Sequence, residues 1–229
     1  MGLGHGSEIA IGDIALYIDS ANLRCYPGTG VTATDLSSYN NVGSLTSITQ
    51  SGAGATSGLL FNGSSSVIGL GTGNGLNIST AWTVEAWINP KSFGELDSGR
   101  IFQNSSGSLT GFIFSLDNSQ TTAGLQLNTY AVAGFSVRFG NCINLEQWQQ
   151  VAISLNSGTA TFYVNGASIG SSSITSPSAY TGNKYIGNTS TASNTFDGRI
   201  GILRVYRYVL SSTQILQNYN ATKGRYGLV

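Results

Sequence analysis

Residues 148–170 read WQQVAISLNSGTATFYVNGASIG, and this stretch decides the fold of the chain. Apolar side chains recur at every second position in two runs, Val151 to Leu155 and Ala160 to Val164, and a period of two predicts β-strands. A turn at Asn156-Ser157-Gly158 separates the runs. Asn165-Gly166 closes the second run, and this pair accepts the positive φ angles that a tight hairpin requires. The stretch therefore predicts three antiparallel strands in a meander.

The same period continues on both sides of the meander. In TVEAWIN, residues 83–89, one face of a strand carries Val84, Ala86 and Ile88, and the other carries Thr83, Glu85 and Trp87. Further strands are predicted in GFIFSL, GLQLN, KYIGN and GRIGILRVYRYVL. Turn signals recur about every 8–12 residues between positions 40 and 210, and no proline-rich linker interrupts them. The pattern predicts one all-β domain, a two-sheet antiparallel sandwich or jelly roll.

The end of the chain breaks this pattern. Residues 210–229 read LSSTQILQNYNATKGRYGLV, and Ser211 with Gln214 has the spacing of a helix capping box. Three apolar side chains share one helical stripe: Ile215, Leu216 and Tyr219. We predict a short C-terminal helix near 211–220 that covers a sheet edge or the mouth of the sandwich.

These patterns divide the chain into three parts. We predict an N-terminal arm over 1–15, a jelly-roll domain over 16–221 that includes the helix, and a basic C-terminal tail over 222–229. The tail has little obvious place in the core. We therefore interpret Lys223, Arg225 and Tyr226 as a docking element, and we expect deletion of 222–229 to leave the fold intact but to weaken attachment to a partner.

Charge is scarce and unevenly distributed. Only 9% of the 229 residues are charged and the net charge is zero, so the chain is expected to bind neither nucleic acid nor membrane surfaces. Residues 1–35 nevertheless carry a net charge of −3, and residues 199–229 carry +5. Either the two terminal segments lie together and attract, or the basic end meets an acidic partner.

Cysteines and targeting signals say little about compartment. Cys25 and Cys142 are too few for a disulfide framework, and they can form one bridge or stay free. No apolar run approaches the roughly 18 residues of a membrane span, and no secretory signal is recognisable at the start. We therefore expect a protein made in a cytoplasm, without membrane insertion.

The sequence offers no recognisable catalytic motif. Retaining glycoside hydrolysis needs two carboxyl groups about 5–5.5 Å apart, whereas Glu85, Asp117 and Glu146 each stand alone in the sequence. A pair assembled by the fold stays a minor alternative. His5 is the single histidine, which speaks against a histidine-based triad and against a zinc site.

Neither a cofactor nor a metal is expected. Calcium takes six to eight oxygen ligands, whereas ELDSG at 95–99 offers two carboxylates and DNS at 117–119 offers one. We interpret both stretches as polar turns. The glycine runs miss the spacing of nucleotide-binding loops.

Aromatic residues are the remaining candidates for binding. The three tryptophans can stack on sugars or pack in the core, and packing is the favoured interpretation: Trp82, Trp87 and Trp148. Four tyrosines fall in predicted loops, where their amphipathic rings suit binding surfaces: Tyr26, Tyr39, Tyr130 and Tyr180. The sequence assigns none of them to a ligand.

Four blocks of the chain resemble laminin G-like, concanavalin A-like jelly-roll domains. These blocks are LLFNGSSSVIGL, WTVEAWINP, the meander at 148–170 and FDGRIGILRVYRYVLSSTQI, and together they cover about residues 58–217. The resemblance implies the two-sheet antiparallel jelly-roll sandwich. One departure is that Gly201 and Ile202 occupy the positions at which many relatives carry an Asp-Glu pair.

The two ends of the chain, IALYIDSANLRCYPGTGVTATDLS and ILQNYNATKGRYGL, resemble structural proteins of tailed bacteriophages. This resemblance implies a non-enzymatic virion protein, a capsid decoration or tail appendage that is made in the host cytoplasm and binds other virion proteins. The alternative is a glycan-binding adhesin or tail-fibre module that recognises the host surface. A glycan hydrolase is a third and weaker hypothesis.

Overall fold

The computed structural model describes residues 8–52, 54–106, 109–118, 122–131, 133–189, 191 and 193–229, so the prediction about His5 lies outside the described residues. In chain order, the described strands are β1 Ile14–Asp19, β2 Thr32–Thr34, β3 Val42–Thr46, β4 Thr49–Ser51, β5 Gly58–Asn62, β6 Val67–Gly69, β7 Ala81–Pro90, β8 Arg100–Ser105, β9 Gly111–Asp117, β10 Gly124–Tyr130, β11 Gly134–Phe139, β12 Gln149–Asn156, β13 Thr159–Val164, β14 Ala167–Ser173, β15 Tyr185–Ile186 and β16 Asp197–Tyr206. Helix α1 spans Ser212–Thr222, and short 3-10 helices span Gly54–Thr56, Glu95–Asp97 and Lys223–Tyr226.

The strands form two antiparallel sheets. The first sheet has the order β14-β13-β12-β7-β16-β5-β4, and β1 also pairs with β16. The second sheet has the order β11-β10-β9-β8-β15-β6-β3-β2. One hydrophobic core draws on both sheets. The predicted all-β, two-sheet antiparallel jelly roll with a short C-terminal helix is confirmed.

The meander that decides the fold forms as predicted. Asn156 pairs with Thr159 across the first turn, and β13 pairs with β14 beyond the second turn. In that second turn, Asn165 has φ 49° and Gly166 has φ 79°. Both central residues thus adopt the left-handed conformation that the Asn-Gly pair was expected to accept.

The two faces of β7 serve different purposes, as the alternation predicted. Val84 and Ile88 point into the core between the sheets. Trp82 also points inward, where its ring stacks on Phe112 with centroids 4.0 Å apart and its indole N–H donates to the carbonyl of Ser79 at 3.1 Å. The opposite face of β7 lies beneath the C-terminal segment.

Helix α1 covers the outer face of the first sheet, not the edge or the mouth of the sandwich. Its N-terminus has the predicted capping box between Ser211 and Gln214. Its buried side chains are Ile215, Asn218 and Thr222. The predicted stripe is wrong for Leu216, which stays 45% exposed. Two of these buried residues are polar. They face the sheet because polar side chains of the sheet form hydrogen bonds with them.

The two ends of the chain lie on the same side of the molecule. The guanidinium of Arg225 binds the carboxylate of Asp19 through two hydrogen bonds of 2.8 Å, and Arg207 Nε lies 3.7 Å from Asp13 Oδ2. The expectation that the oppositely charged terminal segments lie together is therefore confirmed. In the predicted arm, the backbone N–H of Ala10 donates to Asn218 Oδ1 at 2.6 Å, so this part of the arm rests on α1.

Both cysteines are free, which removes the alternative of a disulfide bridge. Cys25 is buried, and this burial raises the pKa of its thiol to about 11. It therefore stays protonated and unreactive near neutral pH. Among the described residues, no helix combines the length and the apolar composition that crossing a membrane requires.

Candidate functional site

The carboxylate of Glu85 is the centre of a buried polar network beneath α1. Arg204 Nη1 donates to Glu85 Oε1 at 2.6 Å, and the hydroxyl of Tyr206 donates to the same oxygen at 3.2 Å. The amide of Asn218 donates to both carboxylate oxygens at 3.1 Å, and Gln150 Nε2 donates at 3.3 Å. Glu85 is only 1% exposed, so the network joins helix to sheet and offers no surface to a substrate.

The other carboxylates singled out in the sequence are not joined into a catalytic pair. Asp117 binds Arg138 on the outer face of the second sheet. Glu146 lies exposed in the loop before β12, where its backbone N–H donates to the carbonyl of Pro90. Residues 95–97 form a 3-10 helix in which the Glu95 carboxylate accepts from Thr195. In the described part of the chain, no group of three or more metal-binding side chains comes together.

The structure places the predicted docking residues against the domain. The ring of Tyr226 is buried, with its centroid 4.2 Å from that of Trp87 and 4.6 Å from that of Trp148. The expectation that the tail has little place in the core is therefore wrong for Tyr226. Arg225 is occupied by Asp19, and Lys223 lies over the ring of Tyr219. A docking role for these residues stays a prediction, in which Lys223 and Arg225 keep accessible surface.

The aromatic candidates separate into packing and surface residues. Trp82 and Trp87 are buried, which confirms their packing role, and Trp148 is half-buried beneath the guanidinium of Arg199 at 5.2 Å. Among the four tyrosines, Tyr26 is buried, Tyr39 donates to Asp13, and Tyr180 lies beside Lys184. Tyr130 lines a cavity.

That cavity lies on the outer face of the second sheet. It has a volume of about 240 Å³ and is bordered by β8, β9, β10 and the loop between β15 and β16. Its lining residues are Arg100, Gln103, Ser106, Ile113, Tyr130, Thr189, Thr191, Ser193 and Asn194. We call this cavity the polar groove. It is the candidate functional site because neutral hydroxyl and amide groups dominate its surface, with one aromatic ring and one cation.

Paired strands form the floor of the polar groove. Arg100 lies opposite Ser115, and Gln103 lies opposite Ile113, in the register between β8 and β9. These side chains point away from the core, which Phe112 and its alternate neighbours fill. Even so, Gln103, Ile113 and Ser115 are only 4%, 2% and 0% exposed. The floor is therefore largely buried from bulk water, although its side chains point away from the core.

Two residues that line the groove carry buried polar atoms without a hydrogen-bond partner among the described residues, Arg100 Nε and Gln103 Oε1. The same holds for Ser115 Oγ, on the residue opposite Arg100 in β9. A buried polar group without a partner costs about 1–3 kcal/mol. Native structures tolerate few such groups, and those that exist ask for an explanation. Two such atoms on residues that line the same groove favour a polar ligand or water as their partner.

Arg100 is the single cation of the polar groove. Its Nη1 donates to Ser98 Oγ at 3.3 Å and its Nη2 donates to Asn194 Oδ1 at 3.2 Å, so neutral oxygens receive both bonds. Burial lowers the pKa of this guanidinium, because the charged form is poorly solvated there. The lining contains no carboxylate.

Sequence patterns did not point to this site. A bulge between Arg100 and Phe102 shifts the register of β8, so the alternation in RIFQNS does not show which side chains face outward. The loop that supplies Asn194 reaches the groove only in the folded chain. Tyr130 was a candidate as one of four tyrosines in predicted loops, but the loop prediction is wrong for this residue, because the structure places it at the end of β10.

The chain matches one protein family and is similar in fold to several solved structures. The family model of the concanavalin A-like lectin/glucanases superfamily matches residues 62–216. No curated protein matches the chain with significance. Domain 4 of AbnA, a GH43 extracellular arabinanase from Geobacillus stearothermophilus solved in complex with arabinotriose, has a TM-score of 0.70 and 18% identity over 90% of this chain and 98% of that chain.

Two toxin domains share the fold as well. The binding domain of Paraclostridial Mosquitocidal Protein 1 has a TM-score of 0.71 and 16% identity, and the alignment covers 94% of this chain and 55% of that chain. The binding domain of botulinum neurotoxin DC in complex with SialylT has a TM-score of 0.68 and 14% identity, over 92% and 51%. The present chain thus spans about half the length of each toxin domain, and the likeness concerns the fold.

Proposed function

Because the chain belongs to the concanavalin A-like lectin/glucanases superfamily, we propose that it is a non-catalytic glycan-binding module whose ligand enters the polar groove. The observation that carries this proposal is that two residues lining the groove carry buried polar atoms without a hydrogen-bond partner among the described residues, Arg100 Nε and Gln103 Oε1. A sugar presents hydroxyl groups that both donate and accept hydrogen bonds. Such a ligand supplies an acceptor to Arg100 Nε and donors to Gln103 Oε1.

The walls of the groove suit the same ligand. Ser106, Thr189, Thr191 and Ser193 contribute hydroxyl groups, which can donate or accept as the ligand requires. Tyr130 adds an amphipathic ring at one side, which can pack against the apolar face of a sugar ring. The volume of about 240 Å³ lies just below the ~300–1,000 Å³ of typical small-molecule sites, so we expect the groove to hold one sugar unit of a longer glycan.

The absence of catalysis is part of the proposal. Retaining hydrolysis uses two carboxyl groups about 5–5.5 Å apart on either side of the bond that is cleaved. The lining of the groove supplies none, and the buried Glu85 belongs to the opposite sheet. Support also comes from the solved structures, in which a domain of similar fold holds arabinotriose and others are named binding domains.

We predict that the protein binds glycans through Tyr130. Replacing Tyr130 with Ala is expected to weaken binding at least about tenfold, the equivalent of ~1.4 kcal/mol, because the stacking surface is lost. Tyr130→Phe, which keeps the ring, is expected to stay within about threefold. The measurement is a glycan array, followed by calorimetric titration of the best ligand.

Tyr39→Ala provides a matched control, since Tyr39 is a half-buried tyrosine that bonds to Asp13 outside the groove. It should bind like the unchanged protein once the thermal midpoint of each variant has been recorded. An array without signal over plant, bacterial and animal glycans would refute glycan binding. Equal losses in the Tyr39 and Tyr130 variants would place the ligand elsewhere on the molecule.

We further propose that the module is carried in the virion of a tailed phage, as a capsid decoration or tail appendage. Support comes from the resemblance of the two end segments, which lie together through the pair between Asp19 and Arg225. Lys223 and Arg225 are the accessible residues of this region that we expect to contact another virion protein. Mass spectrometry of purified virions should detect the chain, and its consistent absence from particles would refute this placement.

A further inference from the structure

Arg100 differs from the other cations of the chain. All ten acidic and all ten Lys or Arg residues lie in the described ranges, and four cations form ion pairs: Arg138, Arg204, Arg207 and Arg225. Of the six without an ion pair, three lie over aromatic rings and two are exposed: Lys184, Arg199 and Lys223, then Arg24 and Lys91. Among these described cations, Arg100 alone is half-buried and has neither a carboxylate nor an aromatic ring as its partner.

A charge that is partly buried without a counterion is unfavourable unless other polar interactions compensate for the lost hydration. The neutral oxygens of Ser98 and Asn194 accept from its two terminal nitrogens at more than 3 Å, which leaves the charge itself unbalanced. Guanidinium groups bind carboxylates through paired, charge-assisted hydrogen bonds. Arg100 borders the polar groove and has the chemistry to receive an anion there.

Acidic residues on nearby elements do not supply that anion. Asp117, at the end of β9, is bound by Arg138. Glu95 accepts from the backbone and the hydroxyl of Thr195. Since no carboxylate borders the groove, nothing in its lining repels an incoming negative charge.

We infer that the polar groove recognises an acidic sugar, one whose carboxylate pairs with the guanidinium of Arg100 while its hydroxyl groups meet the neutral floor. This inference rests on the proposed glycan-binding function. It narrows the ligand to glycans that carry uronic or sialic acid units. Arg100 then acts as the residue that selects the acidic sugar over its neutral counterpart.

The test compares ligands that differ chiefly in the carboxylate. Calorimetric titrations of the full chain use 3′-sialyllactose against lactose, and trigalacturonate against its methyl ester. At least one acidic ligand is expected to bind about tenfold more tightly than its neutral partner. Raising the salt concentration should reduce this difference in affinity, because mobile ions screen the attraction between a partly accessible guanidinium and the carboxylate of the ligand.

Arg100→Gln should weaken binding of both ligands, but it should lower the affinity for the acidic ligand about tenfold more than the affinity for the neutral ligand, because the neutral ligand loses only an uncharged hydrogen-bond acceptor contact. Arg24→Gln is the matched control: it removes the same charge from an exposed arginine outside the groove, and it should leave both affinities unchanged. In the absence of ligand, the thermal midpoint of Arg100→Gln should stay the same or rise by about 2–4 °C, because an uncompensated charge has been removed.

Each other outcome has a distinct meaning. Equal binding of acidic and neutral ligands would refute the acidic sugar but would leave glycan binding intact, whereas binding of no glycan would refute both. Tighter binding of lactose 3′-sulfate than of 3′-sialyllactose would show that the groove selects a sulfate and not a carboxylate, which would overturn the inference. If Arg100→Gln lowered the midpoint by more than about 4 °C and weakened both ligands alike, Arg100 would be a structural residue.

Discussion

Deletion of residues 222–229 is expected to lower the free energy of unfolding by about 3–5 kcal/mol, the range observed when a large aromatic side chain is removed from a core. This expectation reverses the one that the sequence alone suggested. Tyr226 fills the space over Trp87 and Trp148, and the deletion leaves both rings uncovered. For a domain of this size, the thermal midpoint should fall by about 10 °C.

Two polar contacts are lost in the same deletion. The indole N–H of Trp87 donates to Thr222 Oγ1 at 2.8 Å, and without Thr222 this buried donor has no partner. The bidentate pair between Arg225 and Asp19 also disappears, which frees the end of β1. The tail thus stabilises the fold by covering the sheet, by satisfying a buried donor and by fixing the N-terminal strand.

Point variants separate these effects. Tyr226→Ala should reproduce most of the loss, whereas Tyr226→Phe should be neutral or slightly stabilising, because the buried hydroxyl of Tyr226 has no partner among the described residues. Removal of Val229 alone, which is fully exposed, is the control truncation. The free energy of unfolding of these three variants, of the 222–229 deletion and of the full chain is measured by urea unfolding followed by tryptophan fluorescence. A deletion variant as stable as the full chain would contradict the structural role of the tail.

Replacement of Glu85 with Ala is the second large effect, with an expected loss of about 3–5 kcal/mol. The variant leaves the guanidinium of Arg204 buried without its counterion. Asn218 loses both of its carboxylate acceptors at the same time, so the contact between α1 and the sheet is weakened. No loss of glycan binding at the polar groove is expected under conditions where the variant is folded.

A double-mutant cycle tests this explanation. Glu85→Gln alone and Arg204→Met alone should each be destabilising, because each leaves one charged group of the pair buried without its partner. The Glu85→Gln, Arg204→Met double variant should be more stable than the sum of the two single changes predicts. Glu146→Ala, at an exposed carboxylate, is the control and should change the free energy of unfolding by less than about 0.5 kcal/mol. Strict additivity of the two changes would contradict a direct coupling between Glu85 and Arg204.

The sequence predicted those parts of the fold that local patterns determine. Alternation over residues 148–170 and 83–89 identifies strands, because successive side chains of a strand point to opposite faces. Asn165-Gly166 fixes a hairpin through its own backbone preferences. Ser211 and Gln214 mark the start of the helix through hydrogen bonds that span a single turn.

The parts that escaped prediction depend on contacts between distant segments. Thr222 and Trp87 are 135 positions apart in the chain, and no local pattern relates them. Asn218 reads as an exposed helical residue until Glu85 is known to lie beneath it. Likewise, the polar groove requires Asn194 to meet Arg100 across 94 positions. Chemistry that is assembled by topology leaves little trace in a single sequence.

The closure of the first sheet by the two ends of the chain has a consequence for biosynthesis. Asp19 is translated 206 positions before its partner Arg225, and at about 5–20 residues per second the interval is roughly 10–40 seconds. For most of that interval β1 cannot pair with β16, which has not yet been translated, and the face that α1 will cover stays open to water. The last contacts of the fold therefore form only after the segment around Arg225 has been made, and the growing polypeptide depends on its surroundings until then.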